Sequence, residues 1–245
     1  MSNPTAAILV IGDEILSGRT REANAYHLAG ELTRVGIDLS EIRVVPDDHD
    51  VIVEALNALR ERYTYVFTSG GIGPTHDDIT ADAVAAALGV GIDVRADARA
   101  LLEEALAARG ATPTADQLRM ARIPDGASLI VNGVSGAPGF SIGNVHVMAG
   151  VPSIFVAMLD AVLPTLTAGV PVLSREVRFE VGEGRIASQL RQLVADMPQL
   201  TFGSYPFRDG EVRGTNVVVR GTMPALLADA VARLESLRTS LANRT

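Results

Sequence analysis

Residues Tyr65 to Leu88 read YVFTSGGIGPTHDDITADAVAAAL. Tyr65 to Thr68 has the aromatic and β-branched make-up of a strand. Gly70, Gly71 and Gly73 follow, and then an alanine-rich helix, with Thr80 able to cap it, runs to Leu88. A buried strand that passes through a glycine loop into a helix belongs to an open parallel sheet, whose ligands bind at the carboxyl ends of the strands. Upstream, Ala6 to Ile11 is an unbroken apolar run ending at Gly12, which predicts a strand buried on both faces. Leu28, Leu32 and Val35 lie on one face of a helix from Asn24 to Val35, stopped by Gly36. Ile42 to Val45 is a second strand, ending at Pro46. Asp50 can cap a helix striped by Ile52, Leu56 and Leu59. This alternation predicts an α/β fold with a parallel sheet wrapped by helices.

Further along, Asp97 to Arg109 reads as a helix closed by Gly110, and Leu129 to Val131 and Val145 to Met148 as strands. Ser153 can cap a helix towards Leu166, broken near Pro164. The pattern changes at Gly169-Val170-Pro171. Glu176 to Val181 reads as a strand, and Ile186, Leu190, Leu193 and Val194 as one face of a helix. Strands at Leu200 to Phe207 and Glu211 to Arg220 are joined by Arg208-Asp209-Gly210. A last helix carries Leu226, Val231, Leu234 and Leu237. Two domains are expected: residues 1–170, and a small α+β domain over 171–245, ferredoxin-like or KH-like.

Composition narrows the function. Of 245 residues, 47% are apolar and 20% charged, which is globular rather than disordered. The net charge is −8 and no basic tract exceeds two residues, so no nucleic-acid partner is expected. There is no cysteine, hence no disulfide and no thiolate metal site. No secretory leader is evident at Met1 to Thr5. Ile154 to Val170 is the most membrane-like stretch; Asp160 and Pro164 interrupt it and it falls short of the ~20 residues a span needs. No membrane partner and a cytoplasmic location are therefore expected.

The loop carries the chemistry. Gly70, Gly71 and Gly73 let backbone N–H groups approach an anion, and the following helix N-terminus adds favourable potential. Ser69 and Thr75 can add hydroxyl bonds. Asp77 and Asp78 beside a phosphate would repel it: two unit charges ~4 Å apart interact by about 4 kcal/mol at an effective dielectric near 20. A divalent cation would relieve this; equally, both carboxylates suit the first turn of a helix. Asp13 and Glu14 after the first strand, and Asp47 and Asp48 after the second, lie at the same edge. Locally they fit turns as well as sites. His76 could exchange protons near neutral pH. His27, His49 and His146 form no i,i+4 pair and read as structural or exposed. No Ser-His-Asp arrangement can be drawn from Ser17 or Ser69. Tyr205 and Phe207 read as packing residues, and Arg185 as a surface one. The dinucleotide fingerprint and the G-K-[ST] phosphate loop are both lacking, against a nicotinamide oxidoreductase.

GGIGPTHDDIT (Gly70 to Thr80) resembles the diagnostic loop of the MoaB/Mog molybdopterin-binding domain, nearest the branch at the N-terminus of CinA and in some FAD synthases. IGDEILSG (Ile11 to Gly18) with Asn24, VVPDD (Val44 to Asp48), GAPGF (Gly136 to Phe140) and GVPS (Gly150 to Ser153) resemble further motifs of that branch, in order. VGEG (Val181 to Gly184) and GSYPF (Gly203 to Phe207) resemble the small domain that follows. The resemblance implies a three-layer αβα sandwich with a mostly parallel sheet, homo-oligomers, and a pterin or nucleotide phosphate as ligand. It points to Asp47 and Asp78 as ligands of Mg²⁺, Mn²⁺ or Co²⁺ and, with Asp77, as catalytic carboxylates. Ligand contacts are implied at Gly12, Asp13, Glu14, Asn24, Ser69, Gly70, Gly71, Gly73, Pro74, Thr75 and Thr80. The later loops would add Gly136, Ala137, Pro138, Gly139, Gly150, Pro152 and Ser153. The expected chemistry is metal-dependent cleavage of a dinucleotide pyrophosphate such as ADP-ribose or FAD. A non-catalytic pterin- or nucleotide-binding module and molybdopterin adenylyl transfer are the alternatives. Nicotinamide-mononucleotide deamidation is not expected, because the motifs of CinA's separate amidohydrolase domain are not found. Two positions depart from the branch: Ala149 stands where it usually has Pro, and Ile154 where it often has Glu.

Overall fold

Strand β1 (Thr5–Ile11) organises the first part of the molecule. In the computed structural model, which describes residues 3–242, Ala7, Leu9 and Ile11 enter one hydrophobic core and Ala6, Ile8 and Val10 another. Successive side chains of a strand point to opposite faces, so an unbroken apolar run needs cover on both. The elements that supply it follow in order: α1 (Asp13–Leu16), α2 (Asn24–Arg34), β2 (Asp38–Val45), α3 (His49–Arg62), β3 (Tyr65–Ser69), α4 (Thr80–Leu88), β4 (Ile92–Val94), α5 (Ala96–Ala107), α6 (Ala115–Leu118), β5 (Arg122–Pro124), β6 (Ser128–Ile130), β7 (Gly139–Ile142), β8 (Val145–Met148) and α7 (Pro152–Val162).

The main sheet has the order β2-β1-β3-β8-β7-β6. β2, β1, β3 and β8 are parallel; β7 and β6 return antiparallel at one edge. On one face, α3 and α4 bury Ile52, Leu56, Leu59 and Val84. On the other, α2 and α7 bury Leu28, Leu32, Phe155 and Leu159. Each such side chain stabilises the fold by roughly 1.5–3 kcal/mol. The result is the expected αβα sandwich with a mostly parallel sheet. β4 and β5 form a separate two-stranded ribbon. Three-residue strands hold too few alternations to be read from sequence.

Three helix starts differ from expectation. Asp48, not Asp50, caps α3: its carboxylate accepts from the backbone N–H of Asp50 at 3.0 Å and of Val51 at 3.1 Å. Thr80 is the first residue of α4, whose N-cap is Ile79; the threonine hydroxyl turns back to donate to the Gly70 carbonyl at 3.0 Å. Ser153 lies inside α7, whose N-cap is Val151. Pro152 takes the first helical position, where its missing N–H has no helical partner to lose. The helix tightens to a 3₁₀ turn over Leu163–Thr165, at the break expected near Pro164.

The chain divides into two units, 1–169 and 170–245. The second contains β9 (Leu173–Phe179), α8 (Ala187–Asp196), β10 (Thr201–Asp209), β11 (Val212–Gly221) and α9 (Pro224–Ala242). Its antiparallel sheet has the order β10-β11-β9. Val177, Phe179, Val217 and Val219 pack against Leu193, Leu227 and Leu234 from the two helices. Three strands are one fewer than a ferredoxin-like β-α-β-β-α-β unit has, and Val194, expected on the buried face of α8, is 44% exposed. The hairpin closes through Gly210-Glu211, because Arg208 and Asp209 are already paired with Arg213 and Val212. Gly210 sits at φ 60°, a conformation glycine adopts freely. Among the described residues, no helix is long and apolar enough to cross a membrane.

Candidate functional site

The four parallel strands end at one edge of the sheet, at Ile11, Val45, Ser69 and Met148. The loops beyond them, joined by the segment before β7, wall a cleft of about 450 Å³. Gly12 and Glu14 come from the first loop and Asp47 from the second. Gly70, Gly71, Gly73, Pro74, Asp77 and Asp78 come from the third, Ala137 from the segment before β7, and Gly150 from the loop after β8. These eleven expected positions share one space although they span most of the first unit.

The glycine loop is held by its own backbone. Gly70 and Gly71 have φ of 109° and 66°, left-handed values that side chains disfavour. A methyl group on Gly70 would also overlap the Ile11 carbonyl oxygen, and one on Gly71 the Thr80 hydroxyl. Gly70 N–H donates to Met148 O at 3.2 Å and Thr80 N–H to Gly71 O at 3.0 Å, which ties the loop to β8 and to the start of α4. Further along, Asp78 Oδ2 accepts from Thr75 N–H at 2.8 Å and from the Thr75 hydroxyl at 2.6 Å. One oxygen of Asp78 therefore holds the turn. Asp77 stands half-exposed beside it, with His76 pointing into solvent.

Asp47 links two loops, since its Oδ2 accepts from Asp13 N–H at 2.9 Å. Burial pushes the Asp47 carboxyl above the usual carboxylate range, and the nearby carboxylates of Asp13, Glu14 and Asp77 push it further, against that hydrogen bond. No arginine or lysine lines the cleft among the described residues. The space is thus a negative field beside a glycine loop, the setting that a cation would relieve.

Other expected positions serve the site from behind. Asn24, 5% exposed, donates from Nδ2 to Ser69 Oγ and to Gly150 O, both at 2.8 Å. Asn24, Ser69 and Pro152 face a smaller crevice beside the cleft, and Pro138 a second one. Gly136, at φ 80°, packs on Ala105, and Gly139 packs on Val147. Asp13, Thr75, Thr80 and Ser153 do not line the cleft. The cleft also has members that the sequence pattern does not single out: Ile72, Met120, Ser135 and Met158. Met120 lies in a 3₁₀ turn behind α6. The Thr114–Gln117 capping box that starts α6 was legible as T-A-D-Q, but not where it would lie. The two departures, Ala149 and Ile154, both line the cleft.

Comparison with known proteins agrees with this geometry. Residues 7–168 match the family described as a probable molybdopterin binding domain, and residues 171–242 match the FAD synthase middle domain. A protein of Aeropyrum pernix is 31% identical over 250 aligned positions, covering 96% of this chain and 93% of its own. A CinA-like protein of Gemmatimonas aurantiaca is 32% identical over 216 positions, covering 83% of this chain and 50% of its own. The crystal structure of CinA, of unknown function, from Thermoplasma acidophilum superposes with a TM-score of 0.61 at 34% identity, over 66% of this chain and 97% of that one. The chain therefore belongs to the molybdopterin-binding-domain family of MoaB/Mog type, with CinA-like relatives and an FAD synthase middle domain behind its first unit.

Proposed function

We propose that the cleft binds a pterin or nucleotide diphosphate and cleaves a dinucleotide pyrophosphate such as ADP-ribose or FAD with the help of a divalent cation. The observation that carries this reading is the apposition of the Gly70–Gly73 loop to Asp47, Asp77 and Asp78 in one open cleft. Free backbone N–H groups on such a loop favour phosphate oxygens, and Ile72, Met120 and Ile154 offer an apolar wall to a ring system. Asp47 and Asp78 would hold Mg²⁺, Mn²⁺ or Co²⁺. The donor set suits this: among the described residues no group of three acidic or histidine side chains closes on one point, and Mg²⁺ is commonly bound by one or two carboxylates plus substrate phosphates. When bound, the cation would neutralise charge on the reacting phosphates. The chain's own part is to seat the diphosphate on the loop, donate N–H groups to developing negative charge and keep the carboxylates in place through Thr75 and Asp13.

The test is hydrolysis of ADP-ribose, FAD and related dinucleotides with each metal, by wild type, Asp47→Asn and Asp78→Ala. Metal-dependent release of AMP, reduced at least about 100-fold in the variants, is expected. Turnover that survives both substitutions, or that ignores chelation, would sink the mechanism. A second reading, a module that binds without turnover, is favoured by Ile154, which puts an apolar side chain on the cleft wall where relatives often carry a carboxylate. Ligand binding with no hydrolysis by wild type would select it. Adenylyl transfer to molybdopterin uses the same groups and would show as ATP-dependent AMP attachment.

A further inference from the structure

We infer that Arg119 neutralises a second anionic group of the ligand, so that the site prefers a diphosphate to a monophosphate; this rests on the phosphorylated-ligand reading above. All basic side chains of the chain are arginines. The main cleft has none among its described lining residues, yet it presents Glu14, Asp47, Asp77 and Asp78. An anion of two or more charges needs a counter-charge there that one divalent cation only partly supplies.

Beside the cleft lies a crevice that shares Gly71, Ile72, Gly73, Asp78 and Met120 with it. Its free space is about 20 Å³, enough for one oxygen-sized group. Two arginines line it. Arg122 is already paired, with both terminal nitrogens 2.7 Å from Asp82. Arg119 differs. Its Nε–H is shut off from solvent and meets no acceptor, the only arginine nitrogen in that condition among the described residues. A buried donor with no acceptor is unfavourable, and native proteins keep few of them. An anionic oxygen entering the crevice would satisfy it with a charge-assisted bond.

The backbone presents Arg119 rigidly. It opens the 3₁₀ turn Arg119–Ala121, directly behind the capped helix α6. Ala121 is fully buried and its carbonyl accepts from Arg95 N–H at 2.9 Å. The Gly71–Gly73 segment is the wall common to both spaces, so a phosphate seated on it has the Arg119 crevice next to it. A diphosphate can occupy both places, whereas a monophosphate occupies one.

Binding of ADP, AMP and inorganic pyrophosphate, each with Mg²⁺, is measured by calorimetry on wild type, Arg119→Gln and Arg119→Lys. Wild type should bind ADP more tightly than AMP. Arg119→Gln should weaken ADP and pyrophosphate by about tenfold or more and leave AMP unchanged, with Arg119→Lys recovering part of the loss. Without ligand, Arg119→Gln should melt no lower than wild type, which an arginine with a structural role would not allow. ADP bound by Arg119→Gln at wild-type affinity, or an equal loss for AMP and ADP, overturns the inference and leaves nucleotide binding standing. Pyrophosphate binding that depends on Arg119, with no nucleotide binding, upholds the inference and removes the nucleotide reading. Failure of wild type to bind any of the three overturns both.

Discussion

Replacing Asn24 by alanine should loosen the protein before it touches the ligand. Asn24 begins α2 from inside the molecule, and its Nδ2 bridges Ser69 Oγ at the end of β3 and the Gly150 carbonyl after β8. One amide thus braces two of the loops that wall the cleft. Asn24→Ala deletes two hydrogen bonds of net value about 0.5–1.5 kcal/mol each and leaves acceptors short of a donor, for a total near 2–3 kcal/mol. A chain of this size loses roughly 2–4 °C of Tm per kcal/mol, so the unfolding midpoint of the first unit should fall by about 4–12 °C. Thermal unfolding followed by circular dichroism measures this, fitted as two transitions if the two units melt separately. Were Asn24 a ligand contact and nothing more, Asn24→Ala would weaken binding with an unchanged midpoint. A shift under about 1 °C, well below the expected loss, would refute the bracing argument.

Asp48→Ala should cost about 1 kcal/mol by removing the α3 cap, visible as a lower urea midpoint, whereas Asp50→Ala should cost far less. His146 stacks on Phe67 with ring centroids 5.2 Å apart, lies 2.8 Å from the Ser141 hydroxyl and is 7% exposed. Burial lowers its pKa to about 4, below the unfolded value of about 6.5. The unfolded chain therefore takes up the proton first as the pH falls. Stability held in full above pH ~6.5 should be lost towards pH 4, by about 3 kcal/mol on this account. His146→Phe should flatten that part of the stability–pH curve measured by urea unfolding; an unchanged slope would show that the histidine is not the group responsible.

Local features carried most of the fold. The β1 run was legible because a strand covered on both faces cannot afford a polar residue, and the Leu28–Leu32 stripe because a helix repeats on one face. The third loop was legible because left-handed backbone at Gly70 and Gly71 requires glycine whatever surrounds it. The caps were harder. Asp48 and Asp50 are both plausible in sequence, and the choice between them turns on which carboxylate reaches two N–H groups. Asn24 and Thr80 were placed at the site correctly but in the wrong office: each is turned inward, to bond Ser69 and Gly150 in one case and Gly70 in the other.

By itself, then, the order of residues determined the sandwich, the glycine loop and the family, since each depends on periodicity or on backbone conformations set within a few residues. Only the tertiary structure decided what faces the cleft. Crossover connections bring Asp47, Asp78, Ala137 and Ile154 to one edge, put Met120 in the cleft and Arg119 in the crevice beside it, and set Asp47 against Asp13, Glu14 and Asp77. Those relations join residues far apart in the chain, and their energies depend on burial and distance in space, which spacing along the chain does not encode.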